Sequence, residues 1–425
     1  MTDVNAQRID DAIGLAAAHI SRGDLVLADF ICRDVLAVAP GHAIALNLIG
    51  AIAAQLGLHD EAITHFERAL ACNPPFLPAA GNLQKVSNAR ARAARPQAPQ
   101  GRQFLLIKAW GYGFWSDVSH VLGCLLLAEM TGRVPITHWG SNSLFTDGSD
   151  RDAFRLYFAP LSAFALDSLP ALDAASFFPA KWSAANLREE DNAKWQGPGA
   201  RMGGLYFLNR PETVAVSDFY IGVVDLLPWI PATHKLRGKS LDDVYRYLAE
   251  TYLRPRESIS SQVEEFYRRH IRGLPTVAVH VRGSDKRLEM ADLDRLNELY
   301  FDAIDRVDPS WRILLLTDDT RCVAVFQERY GDRVIVTDSI RTDNDLGIHY
   351  HSSVYRVRLG AEVMRDTYLA LRCEKFIGNG RSNVSAMAAI LKCWDPGACV
   401  LLAPSQLHRS YRQKVVTGEV NRENA

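Results

Sequence analysis

No run of about 18 apolar residues occurs anywhere in the 425-residue chain, which removes an α-helical membrane span. The amino terminus is charged from Asp3 and Arg8 onwards and has no apolar core of a secretory signal. Cysteine is sparse and disordered in its spacing. The seven cysteines are odd in number and form no CxxC pair, which argues against a disulfide framework or a thiolate zinc site and for a reducing compartment. A surplus of one charge is also missing: 48 Lys and Arg face 49 Asp and Glu, a formal net charge of −1. That excludes the strongly basic balance of a dedicated nucleic-acid binder. The expectation is a cytoplasmic protein with no membrane span and no nucleic-acid partner. What is present, 48% hydrophobic residues in a chain this long, suffices for two or three domains with sizeable cores.

The first ninety residues repeat. Gly23 and Gly57, Ala28 and Ala62, and Pro40 and Pro74 each recur at a period of 34. Small alanines let helices approach closely, and proline, lacking an amide hydrogen, ends each second helix. The unit AIALNLIGAIAAQLGLHDEAITHFERALACNPP, with Gly50, Phe66 and Ala69, resembles a tetratricopeptide repeat. Residues 1–94 are therefore expected to form a repeat module, with a plain helical bundle as the other reading. Two and a half repeats suit homodimerisation or docking of a partner better than a long groove. Arg90, Arg92 and Arg95 fit a solvated helix face or a binding patch. RPQAPQGRQ (95–103), with two prolines and no apolar period, reads as a linker.

Beyond the linker the pattern changes to strands alternating with helices. Strands are expected at 104–109, 134–139, 276–281, 312–317, 333–337, 375–378 and 398–403. Helices are expected at 116–133, within 240–273, and at 292–307, 320–330, 351–372 and 383–392. Such alternation predicts α/β structure with parallel sheets, in two Rossmann-like domains (104–273 and 274–425) facing a cleft. The aromatic-rich stretch from 140 to 235 shows no clear period.

In open parallel sheets, ligands bind beyond the carboxyl ends of the strands. Polar clusters lie at those ends. TVAVHVRGSDKRLE (276–289) runs from a β-branched strand into His280, Arg282, Ser284, Asp285 and Lys286. Thr317, Asp318 and Asp319 follow the next strand. GNGRSN (378–383) opens a helix, where Ser382 or Asn383 can serve as N-cap and free amides can receive an anion. Gly111, Tyr112 and Gly113 make the matching turn in the first half. A guanidinium, a glycine turn and a helix N-terminus together suit a nucleotide diphosphate.

The segments VAVHVRGSDK, LLLTDDTRCVAVFQERYGDRVIVTDS and MRDTYLALRCEKFIGNGRSNVSAMAAIL, with KAWGYGFWSDVSHVLGCLLLAEMTGRVPI, resemble the α1,6-fucosyltransferase family. The resemblance implies a two-domain GT-B fold and metal-independent, inverting transfer of fucose from GDP-fucose. It implies that His280 and Asp366 contact guanine, that Arg282 and Ser382 hold the β-phosphate, and that the Gly111–Gly113 loop and Asn383 lie nearby. Glu289 falls one residue short of the family's catalytic carboxylate, counted from the histidine. Gly283 replaces the second of two consecutive arginines, a loss that Lys286 is placed to offset.

Physical chemistry asks for the same parts. Inverting transfer needs a carboxylate to take the acceptor's proton and cations or amides to stabilise the departing diphosphate. Bland alternatives accompany each residue. Arg282 could pair with Asp285, Glu289 could be an exposed helix-start carboxylate, and Asp318 and Asp319 could be a turn and a cap. His349 and His351 look like a metal pair or ordinary loop residues, and no metal site is expected. His120 suits either the core or the cleft. Neither the acceptor (glycan, lipid-linked saccharide or protein) nor the donor is fixed by these patterns. GDP-mannose or a UDP-sugar on the same fold is one rival, and a repeat scaffold with a degenerate transferase domain is another.

Overall fold

The computed structural model describes residues 3–93, 101–169, 175–188, 202–282, 293–343 and 356–409. The chain forms two compact units. The first contains residues 1–103 together with Gly203–Thr213. Among the described residues five helices build it: α1 (Asp3–Ser21), α2 (Leu25–Val38), α3 (Ala43–Gln55), α4 (His59–Leu70) and α5 (Pro78–Ala93). Each packs on the next, and α3 also touches α1 and α5. The repeated small residues explain that closeness. Ala28 and Ala62 are fully buried, and a Cβ on Gly50 would stand 2.6 Å from the ring of Phe66.

The turns between helices within each pair need Gly23 and Gly57, at φ 78° and 73°, a region that side chains other than glycine resist. Residues 203–213, far away in sequence, rest on both turns. The Tyr206 hydroxyl accepts from Leu25 N (3.1 Å) and donates to Gly23 O (3.0 Å). Asn209 Nδ2 donates to Gly57 O at 3.2 Å. Nothing in the sequence period foretells this strap.

The second unit, Phe104–Met202 with Val214–Tyr411, holds two sheets. The first has the order β2 (Val134–His138), β1 (Phe104–Lys108), β4 (Val214–Ser217), β3 (Phe177–Phe178). The second has the order β7 (Val334–Val336), β6 (Arg312–Thr317), β5 (Thr276–Val281), β8 (Lys375–Gly378), β9 (Cys399–Leu401). Every pairing is parallel, as the alternating pattern predicts.

Parallel sheets are covered on both faces, so their strands read as unbroken apolar runs. The side-chain period of two sorts those residues between faces. Ala278, Leu314, Leu316 and Phe376 pack with Val263, Leu369 and Ala388 on one face. Val277, Val279, Ile313, Leu315 and Ile377 pack with Tyr300, Ile304 and Phe326 on the other.

The surrounding helices are α6 (Phe114–Thr131), α7 (Leu241–Tyr252), α8 (Glu257–His270), α9 (Leu293–Ile304), α10 (Thr320–Tyr330), α11 (Arg356–Ala370) and α12 (Asn383–Leu391). The expected helical stretch at 240–273 is two helices, divided where Pro255 withholds a backbone donor. Helix α6 is buried almost all round and ends on Gly132 at φ 67°. Gly123 lets it approach the 221 segment, since a Cβ there would meet Ile221 O at 2.0 Å. One turn earlier, His120 Nδ1 accepts from Ile221 N at 3.0 Å. His120 is thus a core residue holding a loop, not a cleft residue.

Candidate active site

Strand β5 delivers His280 and Arg282 to the same face as Ala278, because alternate residues share a side. One cavity in the second unit is lined by both of them, together with Thr317 and Asp318 from the end of β6, Asp366 from α11, Asn383 at the start of α12, and Gly113 at the start of α6. The two halves also touch directly: Trp115 Nε1 donates to Thr367 Oγ1 at 2.8 Å.

The buried His280 ring shares a 2.7 Å hydrogen bond between Nδ1 and Ser385 Oγ. Burial lowers its pKa from 6.5 to about 4, with Asp318 opposing and Arg282 reinforcing that shift. A neutral imidazole that offers hydrogen bonds is the result at ordinary pH. Arg282 Nε stands 3.9 Å from Asp318, a long ion pair between half-buried partners. The neighbouring carboxylates have divided their roles. Asp319 caps α10, accepting from Arg321 N at 2.8 Å, while Asp318 faces the cavity.

Ser382 occupies the N-cap of α12, one residue before Asn383. Its hydroxyl is buried yet has no hydrogen-bond partner among the described residues, and it makes no cap bond. Leaving a buried hydroxyl unpaired costs about 1–3 kcal/mol. The first turn of a helix adds a partial positive charge from its aligned peptide dipoles. An anion here would answer both.

Asp366 is already engaged. Its Oδ2 accepts from Ser339 Oγ (2.7 Å) and Thr337 Oγ1 (3.1 Å), and its Oδ1 accepts from Arg365 Nε (3.0 Å). Two members of the glycine loop are also turned away from any ligand. The amides of Gly111 and Tyr112 donate to Asp117 Oδ1 at 2.9 and 3.2 Å, so that carboxylate, not a phosphate, satisfies them. Only Gly113 of the three lines the cavity. Lys286, Glu289, Gly283, Ser284 and Asp285 lie outside the described residues, as do His349 and His351. Among the described residues no group of three or more His, Cys, Asp or Glu side chains could hold a metal ion.

The cavity also contains Glu362, which sequence reasoning missed. It is buried, accepts from Ile340 N at 2.9 Å and pairs with Arg358 at 2.6 Å. An Arg and a Glu four apart read as an exposed helix pair, and that signal hides a buried carboxylate. Phe114, Trp115 and Phe145 supply an aromatic wall from the first half.

No family model matches this sequence, and no curated protein does. Among solved structures, the fold is similar to NodZ alpha-1,6-fucosyltransferase of Bradyrhizobium in a crystal soaked with GDP-fucose. The identity is 17% and the TM-score 0.46, over 68% of this chain and 93% of that one. It is similar to Arabidopsis thaliana FUT1 in complex with GDP (12% identity, TM-score 0.45, 76% of each chain). It is also similar to POFUT1 in complex with GDP (13% identity, TM-score 0.42, 70% of this chain and 98% of that one).

Proposed function

We propose that the protein is an inverting, metal-independent glycosyltransferase of GT-B architecture that transfers fucose from GDP-fucose to a hydroxyl of a glycan, a lipid-linked saccharide or a protein. The observation that carries the reading is the unpartnered, buried Ser382 hydroxyl at the N-cap of α12, next in the chain to Asn383, which lines the cavity together with Arg282. In this reading Ser382 and the α12 amino terminus receive the β-phosphate, and Arg282 spans two of its oxygens with its planar fork. The acceptor oxygen attacks the anomeric carbon from the face opposite the diphosphate and loses its proton to a carboxylate, for which Glu289 is the proposed base. The bond from that carbon to the phosphate oxygen breaks, and the negative charge collecting on GDP is met by Arg282 and Lys286. His280 and Asp366 line the guanine end.

A second reading, with GDP-mannose or a UDP-sugar as donor, is favoured by one fact. Asp366 would have to give up or share bonds it already accepts from Thr337, Ser339 and Arg365 before it could grip guanine. The repeat-bearing helices are proposed as a tetratricopeptide module for homodimerisation or docking. The test is a thermal-shift panel of GDP, GDP-fucose, GDP-mannose and UDP-sugars, run with and without EDTA. A ligand at 100 times its Kd stabilises the native state by about 2.7 kcal/mol. GDP and GDP-fucose are expected to raise the melting temperature equally in both buffers. A response to UDP-sugars alone supports the second reading, and silence across the panel supports a non-catalytic scaffold.

A further inference from the structure

A second cavity, of about 620 Å³, opens at the carboxyl end of β2 and shares no lining residue with the first. That volume suits a small ligand held in a preformed site. An aromatic layer lies between the two. Phe114, which lines the first cavity, packs edge-on against Trp139 at 6.3 Å, and Trp139 packs edge-on against Phe154 at 5.3 Å. Asp152 and Arg155, on either side of Phe154 in the chain, line the second.

The chemistry of this lining is specific. Leu156, Ala165 and Leu166 give it an apolar patch, and the remaining groups are polar or charged. Asp152 is fixed in place, accepting from Thr137 Oγ1 (2.7 Å), Trp139 N (2.9 Å) and Phe154 N (3.2 Å). Arg188 pairs with Asp167, and Arg155 stands 3.8 Å from Asp152. Arg151 turns to Asp147, at 2.8 Å. The Arg256 guanidinium is different: no side-chain partner meets it among the described residues. Three of the four lining arginines are thus each answered by an aspartate, which leaves Arg256 as the lining cation without an ion-pair partner among the described residues.

His138 does not add to that charge. Burial, then Lys108 and Arg188, depress its pKa to about 4, so it presents a neutral imidazole that both donates and accepts. An apolar patch beside paired donors and acceptors matches a sugar ring, which has a C–H face and a rim of hydroxyls. The Arg256 guanidinium matches a carboxylate on that ring.

We propose that this cavity binds an acidic saccharide, with His138, Asp150 and the Arg188–Asp167 pair taking its hydroxyls and Arg256 its carboxylate. On the glycosyltransferase reading this ligand belongs to the acceptor, and only that identification rests on the reading. Binding does not.

The test is a titration of the full chain with glucuronate, glucose and inorganic phosphate by ligand-observed NMR, with GDP titrated in parallel. Glucuronate is expected to bind more tightly than either glucose or phosphate. Arg256→Gln should weaken glucuronate on the order of tenfold, the loss of one charge-assisted hydrogen bond, and leave glucose and GDP unchanged. Asp150→Asn, a mild change at an exposed position, should weaken both sugars together. Glucuronate binding no tighter than glucose overturns the proposal. So does phosphate binding as tightly as glucuronate with the same dependence on Arg256, which would describe a bare anion site. Saccharide binding without any GDP binding would sustain this inference while removing the transferase reading, so the two fail separately.

Discussion

Replacing Arg282 by alanine separates folding from function. The side chain stands at the end of β5, with Asp318 3.9 Å away. Both side chains are 23% exposed, so water screens them. Such a pair contributes about 0–1 kcal/mol, and Arg282→Ala should therefore melt within a few degrees of the parent. Its effect on transfer should be far larger. A preorganised donor aimed at charge that develops in the transition state is worth about 2.7–4 kcal/mol, or 10²–10³ in rate. Initial rates of GDP release, measured beside a melting curve and a GDP titration, provide the readout. Arg282→Lys keeps the charge but loses the planar fork, so it should recover only part of the rate. A folded Arg282→Ala protein that turns over normally would refute the phosphate assignment and, with it, the reading of Ser382 as its neighbour in the same task.

Three other outcomes follow from the geometry. Burial holds His280 and His138 near pKa 4 in the folded chain against 6.5 in the unfolded one, so the unfolded state takes up protons first as pH falls. Their contribution is complete above about pH 6.5 and is lost towards pH 4, at up to about 1.4 kcal/mol per pH unit for each. Urea unfolding from pH 7 to 5 should show that slope, and His280→Asn or His138→Asn should each remove one proton's share; an unchanged slope refutes the burial argument. Gly123→Ala drives a methyl group into the Ile221 carbonyl and should destabilise by about 1–3 kcal/mol or more, measured by the same unfolding, whereas a neutral result would mean that α6 and the 221 segment separate freely. Deleting residues 1–95 should lower the oligomeric state seen by light scattering, preserve GDP binding, and make 203–213 sensitive to protease. A truncated protein that stays dimeric, or that folds without binding GDP, refutes the proposed division of labour.

The centre of the second sheet was legible because β5, β6 and β8 are buried on both faces and therefore stand out as apolar runs bounded by glycine and polar residues. The strand expected at 276–281 has those same bounds in the structure, and that at 312–317 likewise. The stretch from 140 to 235 hid β3 and β4 for the opposite reason. Two and four residues are too few to show a period, and the pairing of β4 with β1 and of β3 with β4 is decided by tertiary packing around Phe104, Val214 and Val216.

Residue types at the strand ends pointed to His280 and Arg282, but sequence carries no signal for which hydroxyl will lack a partner. Ser382 became informative only once its surroundings were known. The glycine loop erred in the other direction. Gly-x-Gly suggests open amides, yet Asp117, six positions after Gly111, closes two of them from the first turn of α6.

The strap at 203–213 acts as a gauge. Tyr206 and Asn209 are three residues apart, and they meet carbonyls on Gly23 and Gly57, which are 34 apart. Inserting one residue within α2 or α3 would rotate one turn against the other and leave a side chain without its carbonyl, although neither turn would itself be altered. Adding an entire repeat before α1 would disturb neither contact. The array is thus free to grow in number towards its amino terminus but not to change its pitch between these two turns, and a chimaera built from foreign repeats must match that pitch before it matches any residue.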